Sequence, residues 1–400
     1  MKKRITILCA SYPPETGAAP NRIFHVAQML KAYGNEVTVI SAMPNYPRGR
    51  IFQAYKYKWF VREQIEGIQV FRTWLIPTHS SNVFKRLMSA LSYAIPFWIL
   101  AQQQLKKIKP DLIIVSSPPL LTGYLGTLMA ARNKAKVLLN VSDLWPQSAL
   151  ELGYVREGAF YNFLVKLERS MYQRADVFSV QSEEIKQHMQ RAQVKKPIFV
   201  YRNVQPIQAM AAQGRKVGTR KIVYAGLLGI AQGVFEIIQA IDFTALGTEL
   251  HLYGDGVQTA SIQQWLFHNP TRGVYYHGVV PATDIPSIMT EYHAMLVPLK
   301  QALVGAVPSK IFNAVANGLP VFYCGGGEGQ QIVATYQIGW VAAPADYTAL
   351  QANIGQWINS SDLEYEALRQ RCLACGKNEF NIEKQSQAFY SFLDSFCFNA

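Results

Sequence analysis

The stretch that decides the fold is residues 307–324, VPSKIFNAVANGLPVFYC, which runs into three further glycines. Ser309 is predicted to cap the start of a helix, and Gly318 is predicted to mark the end of that helix. Residues 319–324 then have the composition of a buried strand that leads into the glycines. The stretch therefore predicts a helix–strand unit of an α/β domain.

The start of this predicted helix carries polar groups. Lys310 lies in the first turn, and Asn313 follows one turn later on the same face. Backbone N–H groups at a helix start, together with an ammonium group, suit an anionic ligand such as a diphosphate. The alternative is an ordinary helix with an exposed lysine, and the stretch alone does not separate the two.

Length and composition limit the architecture. A chain of 400 residues that is 50% hydrophobic is long enough for two domains, each with its own core. The five cysteines include a single Cys-x-x-Cys pair, Cys372 and Cys375, without the second pair or the histidine spacing of a zinc site. We therefore expect no metal or cofactor and a reducing, cytoplasmic setting. The longest apolar run, residues 87–100, is too short to span a bilayer.

Charge is distributed unevenly along the chain. Residues 1–205 contain 28 lysines and arginines and 12 aspartates and glutamates, which gives a net charge of +16. Residues 206–400 contain 11 basic and 14 acidic residues, which gives a net charge of −3. This asymmetry predicts that the first half faces a polyanion, either an anionic membrane or a nucleic acid.

Aromatic and basic residues are mixed in the first half, and cations flank the apolar run 87–100. Such a run could lie in a lipid interface with its lysines and arginines at headgroup level. The competing interpretation is a buried helix of an α/β layer. The candidate contacts with an acceptor or a membrane are Glu15, Asn21, Tyr46, Arg48, Lys56, Lys58, Trp59, Lys85, Arg86 and Trp98.

Predicted strands alternate with predicted helices in both halves, which is typical of parallel sheets. We expect two Rossmann-like, doubly wound α/β domains at 1–204 and 205–380. A C-terminal helix at 381–400 either packs on the first domain or completes its own core.

Ligands in open α/β sheets bind beyond the carboxyl ends of the strands. Two domains of this kind predict a shared cleft with one substrate at each wall. In the first half, a predicted loop at 11–22 follows the first strand and precedes a helix that starts at Ile23. Asp143 directly follows the strand 136–141 and is the leading polar candidate, with a plain helix N-cap as the alternative.

Several motifs together resemble the retaining family-4 glycosyltransferases of the GT-B fold, over nearly the whole chain. The motifs are YPPETG at 12–17 with Arg22, DLWP at 143–146, YAGLLG at 224–229 with Gln232-Gly233, and PSK at 308–310 continuing to Val321. The sequence is most similar to the bacterial branch that builds O-antigen, capsule or exopolysaccharide units, including N-acetyl-fucosaminyl transferases. The resemblance implies that a sugar is transferred from a nucleotide-sugar donor without a metal ion. We expect the nucleotide of this donor to be UDP. The implied acceptor is a lipid-linked (polyprenyl diphosphate) saccharide at the cytoplasmic face of the inner membrane.

The resemblance also implies roles for individual residues. Asp143 would orient or deprotonate the acceptor hydroxyl, and Lys310 would meet the charge of the leaving phosphates. The implied catalytic set is Asp143, Lys310, Lys300 and Arg22. The implied donor-binding set is Gly17, Gly226, Gly229, Gln232, Asp255, His277, Val279, Ser309, Lys310, Asn313, Gly326 and Gly327.

The chain departs from the family pattern at three positions. Gly305 and Asn313 stand where the family often has two glutamates, and Gln232 stands where a lysine is frequent. Asn313 can still exchange hydrogen bonds with hydroxyl groups, but without charge assistance.

Two other functions fit parts of the pattern. A sugar-nucleotide epimerase shares this architecture, and the basic half could bind nucleic acid. The second alternative leaves the motifs at the strand ends unexplained, and the sequence shows no recognised nucleic-acid-binding module.

Overall fold

The computed structural model describes residues 2–46, 49–78, 83–151, 153–207, 219–281 and 284–398. The chain forms two compact units. Unit 1 contains Met1–Asn203 together with Lys384–Ala400, and unit 2 contains Val204–Glu383. The last residues of the chain thus belong to the unit in which the chain begins.

Unit 1 is built on an eight-stranded sheet, here called sheet A, in the order β3-β4-β2-β1-β5-β6-β7-β8. Its strands are β1 (Arg4–Leu8), β2 (Glu36–Ala42), β3 (Phe60–Ile65), β4 (Ile68–Thr73), β5 (Leu112–Ser117), β6 (Lys136–Val141), β7 (Val177–Val180) and β8 (Ile198–Val200). Pairing is parallel except between β3 and β4, an antiparallel hairpin at the sheet edge that the sequence pattern did not predict.

Helices cover both faces of sheet A. They are α1 (Ala18–Ala32), α2 (Val83–Ile108), α3 (Leu120–Arg132), α4 (Gln147–Glu151), α5 (Ala159–Arg174) and α6 (Glu183–Arg191). Helix α1 starts five residues earlier than predicted, because Gly17 (φ 144°) turns the chain and Pro20 fits a first helical turn. Asn21 and Arg22 are therefore helical residues and not loop residues, which corrects the predicted loop 11–22.

The C-terminal helix α14 (Ile382–Leu393) packs within unit 1. Phe389 is 1% exposed, and its ring centroid lies 4.8 Å from that of Tyr201. Tyr390 stacks on Tyr33 of α1 with ring centroids 4.0 Å apart. The helix thus completes the apolar layer that also contains α1.

Unit 2 has a six-stranded sheet, sheet B, whose strands are all paired in parallel in the order β11-β10-β9-β12-β13-β14. The strands are β9 (Lys221–Ala225), β10 (Glu249–Tyr253), β11 (Val274–Gly278), β12 (Ala294–Pro298), β13 (Val321–Cys324) and β14 (Gly339–Ala342). The helices are α7 (Val234–Ala240), α8 (Thr259–His268), α9 (Ile285–Met289), α10 (Ser309–Ala316), α11 (Glu328–Thr335), α12 (Tyr347–Ile358) and α13 (Asp362–Asn378).

Helix α10 forms where the opening stretch predicts a helix. Its start differs in detail, because Pro308 is the N-cap and Ser309 is the first helical residue, without a side-chain capping bond. The predicted Ser309 cap is therefore wrong. The predicted stop is confirmed, since the helix ends at Ala316 and Gly318 adopts φ +62°. In the described part of the chain, no helix is long and apolar enough to cross a membrane.

Candidate active site

The carboxyl edge of sheet B is assembled from loops that bond to one another through their backbones. The chain leaves β9 toward β10 on one side, while β12 lies on its other side, so this edge contains a topological switch point. Gly226 N–H donates to the Tyr253 carbonyl at 2.9 Å, and Lys300 N–H donates to the Ala231 carbonyl at 2.8 Å. The loops after β9, β10 and β12 are thereby fixed relative to each other.

Lys310 lies against the glycine loop that follows β9. Its Nζ is 5.1 Å from the ring centroid of Tyr224. A Cβ on Gly226, which has φ +146°, would lie 2.7 Å from this Nζ. Only glycine allows so close an approach without strain. Burial lowers the pKa of Lys310 to about 8.

Several other predicted donor-site residues lie at the same edge. Ser309 and Asn313 are half-buried on α10, with Lys310 between them in sequence. Gly326 is buried, and its carbonyl accepts a hydrogen bond from the Tyr323 hydroxyl at 2.9 Å. Gly327 (φ +70°) makes the turn into α11.

Lys300 differs from Lys310 because its charge is already paired. Its Nζ lies 2.6 Å from Glu236 Oε1, and this hydrogen bond raises the pKa of Lys300. The other oxygen of Glu236 accepts a hydrogen bond from Gln258 at 3.2 Å. Lys300 is therefore less available than Lys310 to a bound anion.

Asp255, Gly229 and Gln232 are further donor-site candidates in the loops of unit 2, and each lies against residues close to it in the sequence. Asp255 Oδ1 accepts hydrogen bonds from Gly256 N–H at 2.8 Å and from the Thr259 hydroxyl at 3.0 Å. A Cβ on Gly229 would lie 2.6 Å from Gln232 Oε1, so a side chain there would displace the end of the flexible Gln232 side chain. Gln232 Oε1 is itself buried without a hydrogen-bond partner among the described residues.

His277 belongs to a hydrogen-bonded row of side chains on neighbouring strands of sheet B. Its Nε2 lies 2.9 Å from Nδ1 of His251, whose Nε2 lies 3.0 Å from Glu249. Burial lowers the pKa of both imidazoles. Val279, beyond the end of β11, is 66% exposed and is the more accessible of the two predicted contacts at this strand end.

In unit 1, Glu15 organises the loop that follows β1. It is 2% exposed, and its Oε1 accepts hydrogen bonds from the backbone N–H groups of Asn45 at 2.8 Å and Tyr46 at 2.9 Å. Burial raises its pKa despite these bonds. Glu15 thus joins two loops, and Tyr46 remains 40% exposed; the contact of Glu15 with an acceptor stays a prediction.

Arg72 is a residue of this edge that the sequence analysis missed. It is fully buried, and its guanidinium donates to Glu63 at 2.5 Å, to the Ala42 carbonyl at 3.1 Å and to the Pro13 carbonyl. It therefore ties β4 to the loop that contains Glu15. The available signal was a single arginine within an otherwise largely apolar strand.

Arg22 is a buried cation of α1. It is 2% exposed, its Nη1 donates to Gln181 Oε1 at 3.2 Å, and its Nε has no hydrogen-bond partner among the described residues. Burial lowers its pKa to about 10. At the start of the same helix, a Cβ on Gly17 would lie 3.4 Å from the ring of Tyr46, while Asn21 is exposed.

Asp143 lies at the carboxyl end of β6, as predicted. It is half-buried, and one of its oxygens accepts a hydrogen bond from the hydroxyl of Ser148, a buried residue of α4 that the sequence analysis did not identify. Burial raises the pKa of the Asp143 carboxyl. A held carboxylate of raised pKa is suited to act as a base toward a hydroxyl group.

A second carboxyl group of unit 1 is held in an unfavourable environment. Burial raises the pKa of Glu168 to about 7, although Oε1 accepts a hydrogen bond from the Tyr172 hydroxyl at 2.8 Å. Because the folded pKa lies above the ordinary value of 4.5, ionised Glu168 lowers stability, and this loss develops as pH rises from about 4.5 to 7.

We expect Glu168→Gln to raise the free energy of unfolding by about 1–2 kcal/mol at pH 8 and to have little effect at pH 4.5. The amide oxygen of glutamine can still accept the Tyr172 hydrogen bond. Chemical denaturation of both proteins at the two pH values measures the difference. A stabilisation equal at both pH values would contradict the assignment to ionisation.

The predicted membrane contacts divide into three groups. Lys56, Lys58, Trp59 and Lys85 are exposed. Trp98 is half-buried, and the Arg132 guanidinium lies over its ring, with Cζ 4.8 Å from the centroid. Arg48 and the side chain of Arg86 lie outside the described residues. Among the described residues, no group of three or more histidine, cysteine or acidic side chains could hold a metal ion.

Family models match almost the whole chain. Residues 17–203 match the model described as a glycosyl transferase 4-like domain. Residues 207–378 match the model described as glycosyl transferases group 1. The first match includes Asp143 and Arg22. The second includes Lys310 and the glycine loop that follows β9.

Individual proteins agree with these matches. The putative colanic acid biosynthesis glycosyl transferase WcaI of Escherichia coli K12 is 24% identical over 337 residues, covering 79% of this chain and 81% of that protein. HepE of Anabaena, solved in complex with UDP, has a TM-score of 0.70 at 15% identity and covers 99% of this chain and 100% of that one. An E. coli trehalose-6-phosphate protein bound with UDP-2-fluoro glucose also has a TM-score of 0.70, at 12% identity, with 98% of each chain covered. The fold is therefore GT-B.

Proposed function

The chain is a glycosyltransferase with a 4-like domain followed by a group 1 domain, and we propose that it transfers a sugar from a UDP-sugar to a lipid-linked saccharide during bacterial surface polysaccharide synthesis. The observation that carries the donor half of this proposal is Lys310. A cation without a described carboxylate partner lies on a glycine loop at a switch point, where a diphosphate can approach both backbone and ammonium. Neighbours of the same fold were solved with UDP or a UDP-sugar analogue, which supports UDP as the nucleotide.

In the proposed reaction, the bond between the anomeric carbon and the phosphate oxygen breaks, and the acceptor oxygen bonds to that carbon on the same face. Lys310 and the start of α10 stabilise the negative charge that develops on the leaving diphosphate, without a metal ion. Asp143, held by Ser148, orients or deprotonates the acceptor hydroxyl. Asn313 binds donor hydroxyl groups in place of a carboxylate.

One relative and the charge of residues 1–205 support the proposed substrates. The likeness to WcaI, a putative colanic acid biosynthesis enzyme, supports a role in bacterial surface polysaccharide synthesis, and we propose O-antigen or capsule as the polymer. We propose an N-acetylated aminosugar such as N-acetyl-fucosamine as the donor sugar. The net charge of +16 on residues 1–205 supports work at the cytoplasmic face of the inner membrane, where a polyprenyl diphosphate acceptor would reside.

A thermal-shift screen tests the donor proposal. A ligand that binds only the native state raises the unfolding temperature, by an amount that grows with its concentration relative to Kd. We expect UDP and UDP-sugars to stabilise the protein more than GDP or ADP do. Absence of a shift with every nucleoside diphosphate would reject the proposal. Product analysis with donor but without acceptor would reveal an epimerase instead.

The affinity for UDP is expected to fall as pH rises through about 8. Free Lys310 loses its proton near that pH, and a bound diphosphate favours the protonated form, so binding above pH 8 must take up a proton. Calorimetric titrations at pH 7 and pH 9, in buffers of different ionisation enthalpy, measure affinity and proton uptake together. Equal affinity at both pH values, without proton uptake, would remove Lys310 from the phosphate site.

A further inference from the structure

Helix α2 presents an apolar stripe to solvent. Met88, Leu91, Ile95 and Ile99 are 43%, 50%, 70% and 53% exposed, and their spacing places them along one side of the helix. Residues on the opposite side, including Tyr93 and Phe97, are buried in the core of unit 1. Contiguous exposed apolar side chains on a surface helix indicate an interaction site.

A cavity lies in the loop that precedes β3. It has a volume of about 460 Å³ and is lined by Ile51, Lys56, Tyr57, Lys58, Trp59 and Trp74. The two indole rings lie 4.9 Å apart, and Trp59 is 72% exposed. Tryptophan and lysine side chains are the residues that proteins place at the depth of lipid headgroups.

The cavity and the stripe belong to one surface. Two residues after Trp74, the backbone N–H of Ile76 donates to the Ser92 hydroxyl of α2 at 2.8 Å. Ile76 is itself 42% exposed, and Ser92 is next to Leu91 of the stripe. We call this surface the docking face; it consists of the cavity lining, Ile76 and the four stripe residues.

The two segments that form the docking face carry basic but no acidic side chains. The sequence contains no aspartate or glutamate in residues 37–62 or 67–110. Exposed lysines lie beside the cavity at Lys56 and Lys58, and near the two ends of α2 at Lys85, Lys106 and Lys107. An apolar stripe with exposed lysines near both of its ends complements an anionic bilayer, whereas a nucleic acid would leave the stripe without a partner.

We propose that the docking face binds an anionic phospholipid bilayer, with the α2 stripe at the boundary of the acyl chains. The cavity that Trp59 and Trp74 help to line then receives a lipid phosphate headgroup beside Lys56 and Lys58. This inference names the membrane partner of the proposed function and rests on that function only for the identity of the acceptor.

Flotation of the full chain with vesicles tests the docking face. Vesicles of phosphatidylcholine with phosphatidylglycerol are compared with phosphatidylcholine alone. We expect binding to the anionic vesicles only, with the partition coefficient reduced about fivefold by each of Lys56→Gln and Lys58→Gln. Leu91→Ser with Ile95→Ser should reduce it about tenfold or more.

Matched controls are Lys377→Gln and Leu363→Ser, which alter an exposed lysine and an 83% exposed leucine of unit 2. Failure of the wild type to float, equal losses in the controls, or equal binding to neutral vesicles would overturn the inference. A gel shift with duplex DNA that the same variants abolish would overturn it in favour of nucleic acid. UDP thermal shifts of the docking-face variants report separately on the proposed function, because their substituted residues belong to unit 1 and the nucleotide is proposed to bind unit 2.

Discussion

Replacing Lys310 by alanine is expected to lower turnover by about a hundredfold or more, with a smaller loss of UDP affinity. The ammonium group lies over Gly226 and the Tyr224 ring without a described carboxylate partner, so its charge is available to the leaving diphosphate. That charge grows as the sugar–phosphate bond breaks, and the contribution of Lys310 is therefore larger in the transition state than in the bound donor. Steady-state kinetics with the donor and acceptor used by the wild type measure both quantities.

Lys300→Ala is the matched control at the same sheet edge. Because Glu236 already pairs with Lys300 at 2.6 Å, its removal should cost distinctly less turnover than the removal of Lys310. Unchanged turnover in Lys310→Ala, or an equal loss in both variants, would reject the distinction between the two lysines.

Asp143→Asn is expected to lower turnover by roughly 10²- to 10⁴-fold, the range typical of a lost general base. Asparagine keeps the size of the side chain and can still accept the Ser148 hydrogen bond, so the loop should keep its shape. The UDP thermal shift should remain as in the wild type, because the nucleotide is proposed to bind unit 2. Kinetics and thermal shifts on the same preparation separate the two effects.

Asp111→Asn serves as the control for Asp143. Asp111 bonds to Arg4 just before β5, at the opposite end of the same sheet. We expect its replacement to leave turnover near the wild-type value. A comparable loss in both variants would mean that any change of charge in sheet A impairs the enzyme.

The sequence predicts most of the architecture, because its strands are marked by apolar runs followed by glycine, proline or polar residues. The sequence pattern did not predict the hairpin of β3 and β4, because Phe60–Ile65 alternates exposed and half-buried residues and has no strong apolar signal. The start of α1 was misplaced because a proline in a first turn resembles a loop in sequence. Local patterns mark strand ends well and helix starts poorly.

The positions of Asp143 and Lys310 were predictable because the local sequence carried the information. Asp143 follows a predicted strand and Lys310 lies in the first turn of a predicted helix, and both elements form in the structure. Their roles in the reaction stay predictions. Ser148 was missed although its partner Asp143 is only five residues away, because no sequence pattern marked its hydroxyl as a donor to that carboxylate. Arg72 was missed because its role depends on partners in other segments, such as the Pro13 carbonyl. The pairing of Lys300 with Glu236 was hidden for the same reason, since 64 residues separate the two in sequence.

The return of α14 to unit 1 determines when that unit can be completed during synthesis. The ribosome makes the first segment of unit 1 early, yet the side chains that cover Tyr201 and Tyr33 emerge only after the whole of unit 2. A nascent chain must therefore carry an uncovered apolar surface until α14 has been synthesised. A stop codon before Ile382 would make that exposure permanent, and we expect such a product to be recovered from the insoluble fraction of a cell extract.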